Sequence, residues 1–573
     1  MSLDVNVLQR RYAMLKDDRS GWETAWNELA ELFLPCRYRQ ESDTSSHKSP
    51  RLNGRLVNST GVLAMRTLAA GMQGGMTSPV RPWFRLKVRD DEGNEQASGL
   101  GPWLEEVTNR MQSILHESNF YNAIHGLYSD LGTFGTGLMI ETADASGIQF
   151  HLVRAGEYFL DINANGEVDT FYRRLYMTAR QIRQQWGEEK LPRHVLEAAK
   201  ANTGSGSTTR FDVIHAVFPR EDADRDGQLG PKAKAFCSVY WMPETSVNGH
   251  PVILDEGGYD TFPAFAPRWD VNGTDVYGRS PAMDVTPDVR MLQLMSSTFR
   301  KMQHKIADPA LLVDAELQKF GVNISPNALN FVDMSSITAK GSMPVVPVYE
   351  PNVQALTAIM NGIADVERVV NEGLYTDLFR MMIDDDRRQI TATEISARQQ
   401  EKMILIGPVV ERLQKELLSP LIQRTYQLML EWGALPPAPD GIEAAALDVQ
   451  FESVLASAQR ITATSSIDQG FAFIANVAAA DPSALDILDT DAMLKDYLDR
   501  LGMPEGCIRS DEDVAKLRQQ KQEAQAQAQQ QQEMASMGQM ANDFTGAAKN
   551  LGQTPVGADG QTLMGTLLGG LNS

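Results

Sequence analysis

TPDVRMLQLMSSTFRKMQHKIADP, residues 286–309, is the stretch on which the fold turns. Thr286, Pro287 and Asp288 offer a hydroxyl cap, a proline at the first helical position and an acid in the first turn, which together read as a helix start. Asp308 followed by Pro309 reads as a stop, because proline drives the residue before it out of helical backbone. One helix of about 20 residues is expected between these signals, some 30 Å long at 1.5 Å per residue. After a mixed, strand-poor stretch, Pro351-Asn352 opens a second helix with apolar positions at Val353, Leu356, Met360, Ile363, Val366 and Val370. Two helices thus flank a small insert.

Toward the C-terminus, residues 375–390 read as a loop carrying Asp384-Asp385-Asp386-Arg387-Arg388. Thr391 and Glu394 form a capping box for a helix that runs to Trp432, roughly 60 Å, with kinks expected at Pro408 and Pro420. Beyond Pro436-Pro437-Ala438-Pro439 the chain reads as short, polar and helical. A cap-like Ser510-Asp511-Glu512-Asp513 precedes a glutamine-rich run, residues 519–532, and a Gly-, Thr- and Asn-rich close.

Toward the N-terminus, Leu8, Tyr12, Leu15, Trp22, Trp26, Leu29 and Phe33 mark an amphipathic helix over 5–34, ended by Pro35. A second helix is expected over 55–72, breaking up at Gly71, Gly74 and Gly75, followed by a proline-opened strand within 78–88. A helix over 103–131, a glycine run at 132–137 and a strand at 138–141 come next. Glycines between helix and strand are the reverse of a dinucleotide-binding turn, so a tight turn is the reading. Two stretches, 148–176 and 211–266, alternate short β-like runs with Asn165-Gly166, Asn248-Gly249 and Gly257-Gly258, the mark of antiparallel hairpins. A polar helical stretch, 178–201, lies between them. The fold class is α+β, helix-rich.

At 573 residues, two or more structural regions are expected. Apolar residues at 42% and charged residues at 22% fit a globular protein. Net charge is −21, which disfavours bulk adhesion to nucleic acid or anionic membrane. An acidic wall remains compatible with letting duplex DNA slide, since it denies the phosphates a grip. Cys36, Cys237 and Cys507 are too far apart to signal a disulfide framework or a zinc site, which suggests a reducing cytosol. Neither a signal-peptide h-region nor an apolar run long enough to span a membrane is read.

The ordered set TSPVRPWFRL (77–86), FGTGLMI (134–140), GEVDTFYR (166–173), RWDVNGTDVYGRSP (268–281), TATEI (391–395) and GPVVERLQKELLSPL (407–421) resembles the portal, or head-to-tail connector, family of short-tailed double-stranded DNA bacteriophages. The resemblance implies a wing over 1–281, a first stem helix at 282–307, a clip at 308–350 and a second stem helix at 351–374. It further implies a tunnel loop at 375–390, a long kinked wing helix at 391–434, a crown at 435–509, and a barrel helix with a tail at 510–573. Such a protein would form a homo-oligomeric ring of twelve copies at one capsid vertex in the virion, after assembly in the host cytoplasm. Its partners would be the double-stranded DNA genome, the large terminase subunit, the major capsid and scaffolding proteins, and tail adaptor or tail tube proteins, with no membrane and no cofactor.

No phosphate loop, HExxH or GxSxG elbow is present, and no two histidines sit four apart on one helix. Asp384 to Asp386 could bind a divalent cation, but adjacent side chains in a loop diverge. A metal-dependent hydrolase or nuclease, and a helical assembly scaffold, are the alternative readings. Trp22, Trp26, Trp83 and Trp269 are expected to bury area in the core or at a subunit interface. As DNA-channel residues the first stem helix offers Arg300, Lys301, His304 and Lys305, and the tunnel loop Arg380, Arg387 and Arg388. The plainer account of the stem cations, with Arg290, is that they complement the helix dipole or pair with Asp365 and Glu367.

Overall fold

A computed structural model describes residues 4–35, 37, 56–88, 101–144, 147–200, 209–220, 230, 233–247, 250–308, 311–313, 323, 345–347, 353–383, 405–437, 447–451, 494 and 511–553. The chain divides into one compact unit of Met1–Asp91 with Trp103–Gly502, and another of Glu92–Pro102 with Met503–Ser573.

The first unit begins with α1, Val5–Phe33, capped by the Asp4 carboxylate on Asn6 N–H. Helix α2, Thr60–Met76, and strand β1, Phe84–Val88, follow. The helix expected over 103–131 is two, α3 at Gly101–Glu117 and α4 at Phe120–Phe134. They part at Ser118-Asn119, where the Asn119 side chain exchanges hydrogen bonds with Phe150 N–H and C=O instead of continuing a helix.

Strands β2 (Leu138–Asp144), β3 (Gly147–Val153), β4 (Tyr158–Ile162) and β5 (Val168–Thr178) precede two short helices, α5 (Ala179–Trp186) and α6 (Arg193–Lys200). Strands β6 (Arg210–Pro219), β7 (Phe236–Val247), β8 (His250–Tyr259) and β9 (Ala264–Phe265) complete two antiparallel sheets, of order β4-β5-β6-β7-β8 and β3-β2-β9. Gly166 makes the expected turn between β4 and β5 with φ 78°. Gly257 and Gly258, expected in a turn, lie within β8 opposite Ser238 and Cys237.

Alternation along the strands divides the larger sheet between two cores. Leu8 and Leu15 of α1 pack on Phe159, Tyr172, Ile214, Ala216, Val239 and Trp241. Ala179, Ile182, Leu191 and Val195 cover Val213, Met242 and Leu254 on the other face. Trp26, Trp83 and Trp269 are buried as expected, and Trp22 is half-buried beside Trp26 and Tyr277. Arg19 is fully buried, its guanidinium donating to Gly156 O and Tyr158 O and lying over the Phe159 ring.

Helix α7, Pro281–Ala307, is followed by β10 (Leu311–Val313) and β11 (Val345–Pro347), which pair antiparallel, and then by α8, Val353–Gly373. The loop expected over 375–390 begins as helix α9, Thr376–Ile383. Its Leu378 and Phe379 are buried, and Phe379 lies so close to Gly71 that a Cβ there would stand 2.1 Å from the ring. That contact explains why α2 runs through its glycines instead of breaking at them: Gly71 leaves the space α9 occupies.

From residue 405 the chain is helical through a π turn, Gln414–Leu418, into α10, Ser419–Glu431. At Pro420 the irregularity takes the form of this wide turn, whose longer hydrogen bond from Ser419 N–H to Gln414 O accommodates a residue that cannot donate. The capping box at Thr391 and Glu394 lies outside the described residues. Strand β12, Leu447–Phe451, pairs in full register with β1. Residues assigned to the crown by resemblance thus join the first strand of the chain.

In the second unit, α11 spans Asp511–Gln553 and contains the glutamine-rich run. Its described side chains are almost all exposed.

Candidate functional site: the α7–α8 hairpin

Ser280, not Thr286, caps α7: its hydroxyl accepts from Met283 N–H, and Pro281 takes the first helical position. The Thr286-Pro287-Asp288 signal is therefore internal. Thr286 donates its hydroxyl to Ala282 O at 2.6 Å, and Pro287 sits within the helix with one backbone donor fewer. The C-terminal stop holds, with Asp308 N–H on His304 O.

Two close approaches set α7 against α8. A Cβ on Gly362 would stand 2.8 Å from Met295 Cε, and one on Gly373 would stand 2.3 Å from Val285 Cγ1. The spacing, eleven residues on one helix and ten on the other in opposite order, makes the pair antiparallel. Residues 57–60 clasp both helices. Gln293 Oε1 accepts from Val57 and Asn58 N–H, while Asn58 Nδ2 and Thr60 Oγ1 donate to Glu367 Oε1 at 2.9 and 3.2 Å. Nothing in the local sequence marks Asn58 for this role, because the partners of its amide nitrogen, Ser296 and Glu367, lie more than 230 residues away.

The hairpin is rooted in a hub of buried charge. Arg268 donates from its backbone N–H and its guanidinium to Glu416, with Nη2 to Oε1 at 2.8 Å, and also donates to Gly166 O at 2.7 Å. Its side chain is 6% exposed and that of Glu416 19%. Arg412 and Lys415 pair with Asp270 and Glu167 around the same cleft, of about 530 Å³. Three quoted stretches, 166–173, 268–281 and 407–421, meet here, and 134–140 joins them through Trp269 N–H on Gly135 O.

Residues 6–508 match the family described as bacteriophage head to tail connecting protein. The chain belongs to this family. A probable portal protein of Bordetella phage BPP-1 is 36% identical over 519 residues, 90% of each chain. The portal protein of Salmonella phage epsilon15 is 33% identical over 522 residues, again 90% of each. A solved gene transfer agent virion particle aligns with 72% of this chain and 86% of that one, at 11% identity and TM-score 0.34. The portal role follows from the family and its relatives: this connector protein is a structural component of the phage head-to-tail junction.

On this connector, the cations read from the sequence take up different positions. Arg300, Lys301, His304 and Lys305 are all exposed on α7. Arg300 turns back to donate to Val57 O at 2.7 Å, whereas Lys301 and Lys305 share the helix face of Met291 and Leu294. His304 and Lys305 occupy the last turn, where they complement the helix dipole. Pairing with Glu367 does not occur for Arg290, which binds Glu28 of α1. Arg380 is exposed on α9, opposite the buried Leu378 and Phe379. Arg387, Arg388 and Asp384 to Asp386 lie outside the described residues.

Among the described residues no cluster of three His, Cys, Asp or Glu is placed to hold a metal, and no helix is long and apolar enough to cross a membrane. The strongly perturbed groups are structural. Burial drives His215 well below the usual imidazole range, with Arg173 Nε donating to Nδ1 and Tyr240 stacked on its ring. Burial also pushes Asp130, paired with Arg37, up to about 6.

Proposed function

We propose that about twelve copies of this chain close into a ring whose channel passes double-stranded DNA into the capsid during packaging and out during ejection. The observation that carries the reading is membership of the connector family over residues 6–508, joined to a two-helix hairpin with exposed Lys301 and Lys305 on a chain of net charge −21. In this reading α7 and α8 are the stem, residues 308–350 the clip, and 1–281 with the helix ending at Trp432 the wing. Residues 375–390 are the tunnel loop, 435–509 the crown, and 510–573 a barrel helix with its tail. The clip meets the large terminase subunit and later the tail adaptor and tail tube proteins, and the wing meets the major capsid and scaffolding proteins. Assembly takes place in the host cytoplasm.

Lys301 and Lys305, with Arg380, Arg387 and Arg388, supply weak symmetric phosphate contacts that guide the duplex without holding one register, while Arg300 is held on Val57 O. The ring is passive: hydrolysis of nucleotide belongs to the motor. Negative-stain imaging of purified protein tests the reading, with rings of about a dozen copies expected; a monodisperse monomer in assembly-permissive salt would overturn it. ATPase or nuclease activity that co-purified with the ring and vanished on changing Asp384 to Asp386 to Asn would overturn the passive role.

A further inference from the structure

Five Asn-Gly pairs occur in the chain, beginning at Asn53, Asn165, Asn248, Asn272 and Asn361, and those at Asn53 and Asn248 lie outside the described residues. In such a pair the glycine's amide nitrogen can attack the side-chain carbonyl carbon of the asparagine, because no Cβ crowds the approach. A nitrogen whose N–H is already committed to a hydrogen bond is held back from that attack. The three described pairs differ in this respect.

Asn165-Gly166 is locked. Gly166 N–H donates to Asn163 O at 2.9 Å, Asn163 Oδ1 accepts from Asn165 N–H and Glu167 N–H, and Gly166 O accepts from the buried Arg268 guanidinium at 2.7 Å. Asn361-Gly362 lies within α8, where Gly362 N–H belongs to the helical ladder and Met295 fills the space beside the glycine. Asn272-Gly273 is open. Its turn is closed by Asp275 N–H on Asn272 O at 3.1 Å, Gly273 has φ 57°, and a Cβ built there would meet nothing within 4 Å. Residues 272–275 are all exposed, and neither Gly273 N–H nor the Asn272 side chain has a hydrogen-bond partner among the described residues.

We propose that Asn272 is a site of spontaneous deamidation in the folded chain. The Gly273 nitrogen attacks Asn272 Cγ, and its proton passes to the side-chain amide as the Cγ–Nδ2 bond breaks. Ammonia leaves and a succinimide ring closes. Water then opens the ring at one of its two carbonyls, giving aspartate or an isoaspartate whose main chain runs through Cβ and Cγ and so carries one more methylene. The place gives the reaction its consequence. Residues 271–278 connect Asp270 to Arg279, which face each other in an isolated antiparallel bridge just before α7 begins. The new carboxylate enters beside the cleft that Gly273, Asp275 and Arg412 line, where Arg412 already pairs with Asp270. In the isoaspartate product the carbonyl that receives Asp275 N–H leaves the main chain and becomes a side-chain carboxylate. The turn that leads from the Arg268 hub to the α7–α8 hairpin is thereby loosened and made more acidic as the protein ages.

The test holds the purified full chain at mildly alkaline pH, digests it at intervals and maps the peptides by mass spectrometry. Isoaspartate is counted separately, by methyl transfer from S-adenosylmethionine with an isoaspartyl methyltransferase. The peptide bearing Asn272 is expected to lose its amide at least about tenfold faster than those bearing Asn165 and Asn361, at a rate that rises with pH. In urea all three should react at similar rates, since the shielding belongs to the fold. Conversion at Asn165 or Asn361 that matched Asn272 in the folded chain would overturn the proposal. An Asn272 that stayed intact while the urea sample reacted would do the same. Asn272→Gln, whose longer side chain cyclises far more slowly, should keep the parental melting temperature and remove the isoaspartate that maps to this turn; an unchanged isoaspartate count would overturn the assignment.

Discussion

Gly135 and Gly278 lie back to back. A Cβ built on Gly135 would stand 2.2 Å from Gly278 O, and one on Gly278 would stand 2.4 Å from Gly135 O. Around this contact Trp269 N–H donates to Gly135 O, Gly278 N–H to Thr136 Oγ1, and the Ser280 hydroxyl to Thr133 O. The end of α4 is thereby keyed to the start of α7, so the entry angle of the α7–α8 hairpin depends on two residues without side chains.

Gly135→Ala and Gly278→Ala should each destabilise the first unit by about 2–4 kcal/mol, since the clash is with backbone and cannot be relieved by a rotamer change. Gly135 also has φ 77°, a region that alanine resists. Denaturant midpoints of the two variants measure this; a loss under about 0.5 kcal/mol would mean the backbone relaxes freely.

Arg268→Lys should cost about 2–4 kcal/mol and leave Glu416 unsatisfied, because an ammonium cannot reproduce the guanidinium's simultaneous bonds to Glu416 and Gly166 O. Glu416→Gln, which keeps one acceptor for the Arg268 backbone N–H, should cost less. Equal stability of the lysine variant and the parent in thermal melts would remove the hub from the account.

Glu141 should make stability depend on pH. Burial pushes its carboxyl from 4.5 up to about 7, against the pull of Arg424 and of the Thr425 hydroxyl, and Oε2 accepts no hydrogen bond. A folded-state value above the unfolded one means a contribution fully present below about pH 4.5 and lost as pH rises through about 7. Against Glu141→Gln, the parent should therefore lose relative melting temperature between pH 5 and pH 8. A difference that stays constant across that range would show that the carboxyl titrates normally.

Arg300 and its neighbours should separate by role. Arg300→Gln removes the bond to Val57 O and should mainly lower stability, by about 1 kcal/mol. Lys301→Gln with Lys305→Gln should leave the rings intact and reduce DNA packaging or retention in a manner that depends on ionic strength. Salt-independent loss from the lysine pair, or full-length packaging at the parental level, would leave helix-dipole compensation as their only role.

Much of the architecture is written locally. Helix α1, the stop at Asp308, the opening of α8 after Pro351-Asn352, and the turn at Asn165-Gly166 follow from caps, prolines and periodicity within a few residues of each site. The cations of α7 were legible for the same reason, as charges at helical spacing. Tertiary structure decided what depends on groups far away in the chain. Thr286-Pro287-Asp288 lost its role as a helix start because Ser280, bonded to Thr133 O, caps the helix earlier. Helix α2 passed through its glycines because Phe379 needed the space at Gly71. Strand β1 found β12 more than 350 residues away. Which cations face outward was equally out of reach, since Arg300 is turned aside by a carbonyl of residue 57 that no local pattern could announce. Caps and turns act over a few bonds, whereas packing and buried hydrogen bonds are chosen by whichever partner the folded chain brings within about 3 Å.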